Sequence, residues 1–372
     1  MKMLIFYIVM AVILLPGVKI AKHRQWQENP LSQSVSKGIQ GFFALLVILH
    51  HLEQTIRNSG GNPGILSEVR NAGVLCVAVF FFFSGYGLYI SYHSKNNYLH
   101  GFLRNRLSTV LIPFYVCTVV FLGVNLMTGV HYEAIDFILT LVGWNLVNSH
   151  MWFIVEITLF YIFFYLAFKF IKKEWIAIGV IVIAITTIVI WSLYRLHGDH
   201  WFQGEWWYNT SFVFVIGILV AKYQKQLKKF AQKIYVVILP GLVLAFILLM
   251  KLNLYCLGNY SYWSEFVPGR NHIKDKFICL LVQLPMVVVF VLLILVIMMK
   301  VKFANPMLAF LGSISLEVYL IHNLFLTRLR NGTSIEITND FLFVIITIIG
   351  SIVVASMIHW INHQLILRIR KK

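Results

Sequence analysis

The sequence predicts an all-α polytopic membrane protein with about eleven transmembrane helices. Of its 372 residues, 59% are hydrophobic and 12% are charged, whereas a soluble domain is about 45–50% apolar and about 25% charged. Apolar segments long enough to span a bilayer recur along the whole chain. Lysine and arginine are concentrated in every second loop between these segments, which is typical of a membrane protein with a fixed orientation.

A spanning helix needs about 20 mostly apolar residues. The segments that approach this requirement are, in chain order, 3–20, 38–52, 72–92, 108–127, 151–171, 175–195, 207–224, 233–255, 277–299, 305–326 and 341–366. The segment 134–147 is also apolar, but it is shorter and contains Asp136, so we interpret it as an interfacial or re-entrant piece.

The first segment, 3–20, has two interpretations, a cleaved signal peptide or a first transmembrane helix. Only Lys2 precedes the apolar residues and no A-x-A cleavage site follows them, which favours the uncleaved helix. We therefore expect residues 1–35 to form an N-terminal transmembrane helix with a cytoplasmic loop. Residues 36–372 are expected to form a single membrane domain.

The charges of the loops predict the orientation. The cations of the positive loops, their flanking helix ends and the C-terminal tail are Lys22, Arg24, Lys37, Lys95, Arg104, Arg106, Lys172, Lys173, Lys222, Lys225, Lys228, Lys229, Lys233, Lys300, Lys302, Arg368, Arg370, Lys371 and Lys372. The loops between them are acidic or balanced, except for 256–276, in which cations are in excess. Because positive loops remain in the cytoplasm, we expect the N-terminus outside, the C-terminus inside and a multi-pass protein of the plasma membrane.

Several classes of function are disfavoured. The formal net charge of +17 follows from the positive loops, so no nucleic-acid partner is expected. No internal repeat suggests the paired halves of a transporter. The sequence shows no HExxH or similar spacing, and no metal site is expected. The four cysteines lack CxxC spacing and are expected to pack as small apolar side chains, with a Cys256–Cys279 disulfide as the alternative.

The segment "KGIQGFFALLVILHH", Lys37 to His51, begins with a cation and ends with two histidines. His51 follows Gln40 by eleven positions, which is about three helical turns, so both side chains share one helix face with Lys37. His50 lies about 100° away from that face. His51 is therefore the candidate for the bundle interior. The alternative is an interfacial histidine that hydrogen-bonds a loop.

Two other helices carry polar side chains near their predicted outer ends. These are His150, Trp152 and Glu156 at the start of one helix, and Tyr319 and His322 towards the end of another. Ionisable groups inside a membrane are costly and usually functional. A cluster of His51, Glu156 and His322 at one depth would fit proton transfer.

The predicted cytoplasmic side has different chemistry. Arg104 and Arg106 lie in "FLRNRLSTVLIPFY", and Ser84 lies in "FFFFSGYG", whose glycines permit a close approach. A fixed pair of guanidinium groups suits a ligand that carries phosphates. The alternative is ordinary loop charge.

These segments resemble the acyltransferase 3 family of integral membrane acyltransferases. The similar segments are "GIQGFFALLVILHH", "VAVFFFFSGYGLYI", "RNRLSTVLIPFY", "MWFIVEITLFY" and "LGSISLEVYLIHNLF", in the family's order over residues 36–326. His51 holds the position of the family's first-helix histidine. The family's arginine, which ten residues separate from that histidine, is replaced by Gln40, and Lys37 is expected to supply the missing cation.

The resemblance implies a ten-helix acyltransferase core preceded by one extra helix. It implies transfer of an acyl group, most commonly acetyl, from cytoplasmic acyl-CoA to a hydroxyl of a cell-surface glycan or lipid-linked precursor, in a bacterial plasma membrane. Acetyl-CoA or another acyl-CoA would be a substrate, with no permanently bound cofactor. The family's common esterase-like domain is not in these residues, so we expect a separate esterase-like partner or a self-sufficient core.

The expected roles follow the same resemblance. His51 would act as general base or covalent acyl carrier, and Glu156 would orient its imidazole. Tyr319 or His322 would donate to the thioester oxygen. The donor would contact Lys37, Gln40, Ser84, Arg104 and Arg106, and the acceptor would approach His150 and Trp152. The alternatives are a transporter or flippase that moves a glycan intermediate with a His/Glu proton relay, and a sensor without chemistry.

Overall fold

The computed structural model describes residues 2–22, 24–194, 207–262, 271–330 and 335–371. The α-helices are α1 (Lys2–Leu14), α2 (Gln33–Asn58), α3 (Gly73–Ser94), α4 (Phe102–Met127), α5 (Ala134–Leu141), α6 (Trp152–Phe170), α7 (Glu174–Leu193), α8 (Phe212–Lys222), α9 (Gln224–Lys233), α10 (Tyr235–Asn259), α11 (His272–Met298), α12 (Pro306–Ser313), α13 (Ser315–Arg328) and α14 (Asp340–Lys371). Two 3₁₀ helices, Gly64–Val69 and Ser149–Met151, and one antiparallel pair of two-residue strands, β1 (Lys19–Ile20) and β2 (Val301–Lys302), complete the described elements. The protein is therefore an all-α polytopic membrane protein, as predicted.

The number of spans differs from the predicted eleven. Within the described residues, eight helices are long and apolar enough to cross a membrane, and a ninth span results if α12 and α13, bent by 79°, are counted together. The other two predicted spans are short, because α1 has 13 residues and α8 has 11. The predicted segment 207–224 included residues 207–211, which form a buried turn before α8.

Helix α1 is short for a local reason. Pro16 and Gly17 follow α1, and Gly17 has a positive φ of 72°, which a helix cannot continue through. The end of α1 is nevertheless fixed, because Asn305 Nδ2 donates to Ile13 O at 2.8 Å. The apolar piece predicted at 134–147 contains α5, whose eight residues are too few to span a bilayer.

Glycines bring two pairs of helices into backbone contact. A Cβ on Gly41 of α2 would lie 1.9 Å from Leu308 O of α12, and one on Gly312 would lie 1.9 Å from Lys37 O. A Cβ on Gly85 of α3 would lie 2.0 Å from Phe214 O of α8. A larger residue at any of these positions would force the helices apart. The glycines therefore determine the spacing of the helices that carry the polar side chains.

The four cysteines are all free and buried. They pack among apolar side chains, as expected for most of them. The alternative of a Cys256–Cys279 disulfide is not found.

Candidate active site

Three helical elements bring three histidines together. His51 lies on α2, His150 on the 3₁₀ helix Ser149–Met151 and His322 on α13. One ring nitrogen from each lies within 4.8 Å of the others, and we call this group the histidine cluster. His322 is fully buried, and the other two are half-buried.

His51 and His322 form a hydrogen-bonded pair. His51 Nδ1 lies 2.7 Å from His322 Nε2, the ring centroids are 4.9 Å apart and the ring planes differ by 7°. A centroid separation this much larger than the nitrogen separation means that the rings meet edge to edge in nearly one plane. An in-plane contact of this kind aligns the N–H of one ring with the lone pair of the other.

The backbone of α13 determines the tautomers of this pair. His322 Nδ1 lies 2.7 Å from Tyr319 O and 3.2 Å from Val318 O. Since carbonyl oxygens only accept, His322 Nδ1 carries the hydrogen, and in the neutral ring its Nε2 accepts from His51 Nδ1–H. His51 Nε2 then keeps its lone pair. A ring nitrogen with its lone pair can act as a base or as a nucleophile.

His150 stacks on the face of His51, with centroids 3.9 Å apart and planes within 9°. A metal ion must lie in the plane of each imidazole that binds it, about 2.0–2.1 Å from the nitrogen. Two parallel planes this far apart share no such point. The observed arrangement therefore packs His150 against His51 rather than directing all three lone pairs to one metal.

Amide side chains hold His150 in place. His150 N donates to Asn148 Oδ1 at 3.0 Å, and Asn323 Nδ2 donates to the same oxygen at 2.7 Å. Tyr319 OH donates to His150 O at 2.5 Å. The sequence analysis missed both asparagines, although each is close in sequence to a candidate histidine.

His50 is hydrogen-bonded outside the cluster, although its ring centroid lies 5.1 Å from that of His51. Its Nδ1 donates to Val69 O at 3.0 Å, and a Cβ on Gly73 would lie 2.6 Å from its Nε2. His50 therefore joins α2 to the turn that precedes α3. The structure places His51 in the cluster, as the helix phase predicts.

Glu156 does not reach the cluster. It is fully buried on α6, and its carboxylate forms a hydrogen bond with the Ser211 hydroxyl just before α8. Within the described residues, no hydrogen bond joins Glu156 to a cluster histidine, so the expected carboxylate orienter of His51 is replaced by His322. Trp152, expected on the acceptor side, is buried and packs on Phe81 with centroids 6.5 Å apart.

A cavity of about 990 Å³ lies beside these helices. On α3 it is lined by one face, including Val77, Phe80, Ser84 and Ser91, and it continues to Lys95. Lys95 follows Val77 by eighteen positions, which correspond to about 27 Å of helix, close to the roughly 30 Å hydrocarbon core of a bilayer. The cavity therefore runs along most of a membrane span.

One end of the cavity is cationic. Lys37, Lys95, Arg106 and Arg370 line this end, which we call the mouth, and no carboxylate is present among the described lining residues. Arg106 Nε donates to Tyr98 OH at 2.8 Å, which fixes its guanidinium. A cavity walled in this way attracts an anionic ligand.

The other end of the cavity lies against the histidine cluster. Phe153 and Tyr319 line it there, and Tyr319 OH is bonded to the backbone of His150. Gln40 and Ser84, which the sequence analysis expects to contact the donor, line the wall between the two ends.

Comparison with known proteins decides the family. Residues 36–360 match the family model of the acyltransferase domain of the acyltransferase 3 type. The chain belongs to the acyltransferase 3 family. Acyl transfer is therefore its class of reaction. No curated protein and no solved structure is similar enough to this chain to count as a match.

One expected pair of this acyltransferase is not formed. Arg106 lines the cavity, whereas Arg104 is exposed and is not part of the lining. The two lie two residues apart on α4, and residues at that spacing point to different helix faces. The second guanidinium of the mouth belongs to Arg370 of α14, which donates to Asn105 O at 3.0 Å.

The acyltransferase also has a buried polar clamp that the sequence analysis did not identify. Glu317 Oε1 accepts from His359 Nδ1 and from Asn362 Nδ2, both at 3.0 Å. Glu317 lies on α13, the helix of Tyr319 and His322, directly after the bend from α12. The clamp therefore joins α14 to the helix that carries Tyr319 and His322.

Proposed function

We propose that this membrane acyltransferase transfers an acetyl or similar acyl group from cytoplasmic acyl-CoA to a hydroxyl of an extracytoplasmic glycan or lipid-linked sugar. The single observation that carries the proposal is the cavity that runs along about 27 Å of α3 from the cationic mouth to Phe153 and Tyr319, beside the histidine cluster. A donor with a charged head and a long, thin arm fits such a path. The predicted cytoplasmic position of the mouth agrees with the compartment of acyl-CoA.

The mouth binds the phosphates of the donor. Arg106 and Arg370 present guanidinium groups, which match phosphate oxygens in two-point contacts, and Lys37 and Lys95 add point charges. Gln40 and Ser84 lie further along the wall, where they contact the arm that carries the thioester. Binding the head at the mouth leaves only this arm inside the membrane, so CoA itself stays on the cytoplasmic side.

His51 Nε2 performs the transfer in one of two ways. As a general base it removes the hydroxyl proton while the oxygen attacks the thioester carbonyl, and it then gives the proton to the leaving sulfur. As a carrier it attacks the carbonyl itself, and the hydroxyl later takes the acyl group from Nε2. In both cases the carbon–sulfur bond breaks and a carbon–oxygen bond forms. The proton of the acceptor hydroxyl ends on the sulfur of free CoA as its thiol hydrogen.

His322 has the role that a carboxylate has in a serine-hydrolase triad. Its Nε2 accepts from His51 Nδ1–H and holds the ring with Nε2 towards the substrate. When His51 becomes cationic, the Nδ1 proton can shift to His322, whose own Nδ1–H is already bonded to Tyr319 O. The positive charge is then shared between two rings and backbone carbonyls in a site that water enters poorly.

The acceptor approaches from the outer side, past His150, where a separate esterase-like protein would act as a partner. Inverted membrane vesicles test the transmembrane reaction, because acetyl-CoA added outside them reaches the cytoplasmic face. We expect the acetylated glycan to be protected from an added acetylesterase until detergent opens the vesicles. Product that the esterase removes from sealed vesicles, or product formed equally by the His51→Ala variant, would overturn the proposal.

A further inference from the structure

Two aromatic rings separate the cavity from the histidine cluster. Phe153 and Tyr319 both line the cavity, and their rings meet edge to face with centroids 5.7 Å apart. Tyr319 is fixed from behind, because its hydroxyl donates to His150 O at 2.5 Å. An acyl thioester that enters from the mouth must pass this aromatic pair to reach His51.

Phe153 is the member of the pair with no polar anchor, and its position is set by packing. Its ring lies 4.9 Å from Phe81 and 6.5 Å from Phe80, measured between centroids. It follows His150 by three residues, close to one helical turn, so the ring and the histidine cluster are neighbours along the chain. Val77 and Phe80 of α3 also line the cavity, together with Phe153 and Ile157 of α6. The space next to the cluster is therefore apolar and bounded by rigid rings.

We propose that Phe153 sets the upper length of the acyl group, so that the acyltransferase accepts short acyl chains and rejects long ones. The inference rests on the proposed function, because it takes acyl-CoA as the donor. The acyl chain leads the arm past Phe153, so a chain too large to clear this ring cannot bring its carbonyl carbon to His51 Nε2. An apolar wall discriminates between acyl groups by their size. One methylene group more or less changes kcat/KM by roughly 10- to 200-fold.

Donor competition in native membrane vesicles tests this assignment. Acetyl-CoA, butyryl-CoA and hexanoyl-CoA are supplied as mixtures, and the liberated CoA and the acyl mass added to the envelope glycans are measured. For Phe153→Ala we expect the hexanoyl-to-acetyl ratio of kcat/KM to rise about tenfold or more, and for Phe153→Leu a smaller rise. Phe83→Ala is the matched control, since Phe83 lines the same cavity nearer the mouth and its loss should leave the ratio unchanged.

Each outcome of this competition supports or overturns the assignment of Phe153. An unchanged ratio in an active Phe153→Ala variant, or an equal rise in Phe83→Ala, overturns the assignment. If Phe153→Ala is inactive with every donor, Phe153→Leu decides, and inactivity of both would make Phe153 a requirement for transfer rather than a limit on chain length. A wild-type protein that uses none of the three donors would instead contradict the proposed function.

Discussion

The two ends of α2 stand in contrasting surroundings. At the mouth, Lys37 shares an open cavity wall with three other cations, which come from different elements. Fourteen residues further on, about 21 Å along the helix, His51 is held by one ring edge to edge and by another face to face. A charged ligand can be held by several solvated cations in more than one arrangement, whereas proton transfer requires donor and acceptor within about 2.6–3.2 Å. The histidine end should therefore respond to substitution far more strongly than the mouth.

The largest effect is expected from His51→Ala. Loss of the group that acts as base or carrier should reduce acyl transfer by at least about 10²- to 10⁴-fold, while the protein still reaches the membrane. Acyl incorporation into envelope glycans measures the activity, and detergent extraction followed by size-exclusion chromatography measures folding. His50→Gln is the matched control, because its amide can still donate to Val69 O, and it should retain most of the activity. The reverse ranking of these two variants would place the reaction on the other side of α2.

The next largest effect is expected at His322. It tests whether His322 takes part in proton transfer with His51 or only packs beside it. His322→Phe removes the acceptor of the His51 Nδ1 hydrogen bond and should lower kcat by roughly 10- to 100-fold, the value of a hydrogen bond to a charged group. KM for the donor should change little, because His322 lies beyond the cavity. His322→Gln should recover part of the loss, since its carbonyl can accept from the same N–H. A rise in KM with unchanged kcat would instead make His322 a residue of donor binding.

A smaller effect is expected at the mouth. Arg106→Ala should raise KM for acyl-CoA about tenfold with little change in kcat, because the phosphate contact exists in the ground state and the transition state alike. Arg104→Ala is the control two residues away on the exposed face of α4, and its KM should stay within about twofold. Equal effects of the two variants would mean that donor binding depends on the overall charge of this loop and not on the cavity wall.

The sequence allowed the main axis of the site to be predicted. Helix periodicity assigned Lys37, Gln40 and His51 to one face of α2, and the structure places the first two on the cavity wall and the third in the histidine cluster. The predicted direction of each helix placed His322 at a depth in the membrane similar to that of His51. These inferences succeeded because they depend only on the 3.6-residue period and on the alternation of loop charge.

The contacts between side chains could not be predicted in this way. Whether Glu156 meets His51 or Ser211 depends on how α6 is rotated relative to α2 and α8, and a single sequence does not determine that rotation. The bend between α12 and α13 lies inside one apolar segment, so hydropathy alone gives one span. The failure of the Arg104 and Arg106 pair, in contrast, was predictable from the sequence. Helix periodicity already places residues two apart on different faces.

The smallest effect is expected from removal of metal ions, and it tests whether the histidine end is a base or a metal centre. Two nitrogens bound to one tetrahedral zinc at about 2.05 Å lie roughly 3.3 Å apart. His51 Nδ1 and His322 Nε2 are separated by 2.7 Å, which suits a shared proton and is too short for a shared ion. Treatment with a strong chelator should therefore leave activity within about twofold of the untreated enzyme. Added zinc should inhibit, because an ion bound to His51 Nε2 would occupy the lone pair that acts as base or nucleophile. Loss of activity on chelation, with recovery when zinc is returned, would contradict the relay and would require His150 to turn out of its stack on His51 so that all three rings bind one ion.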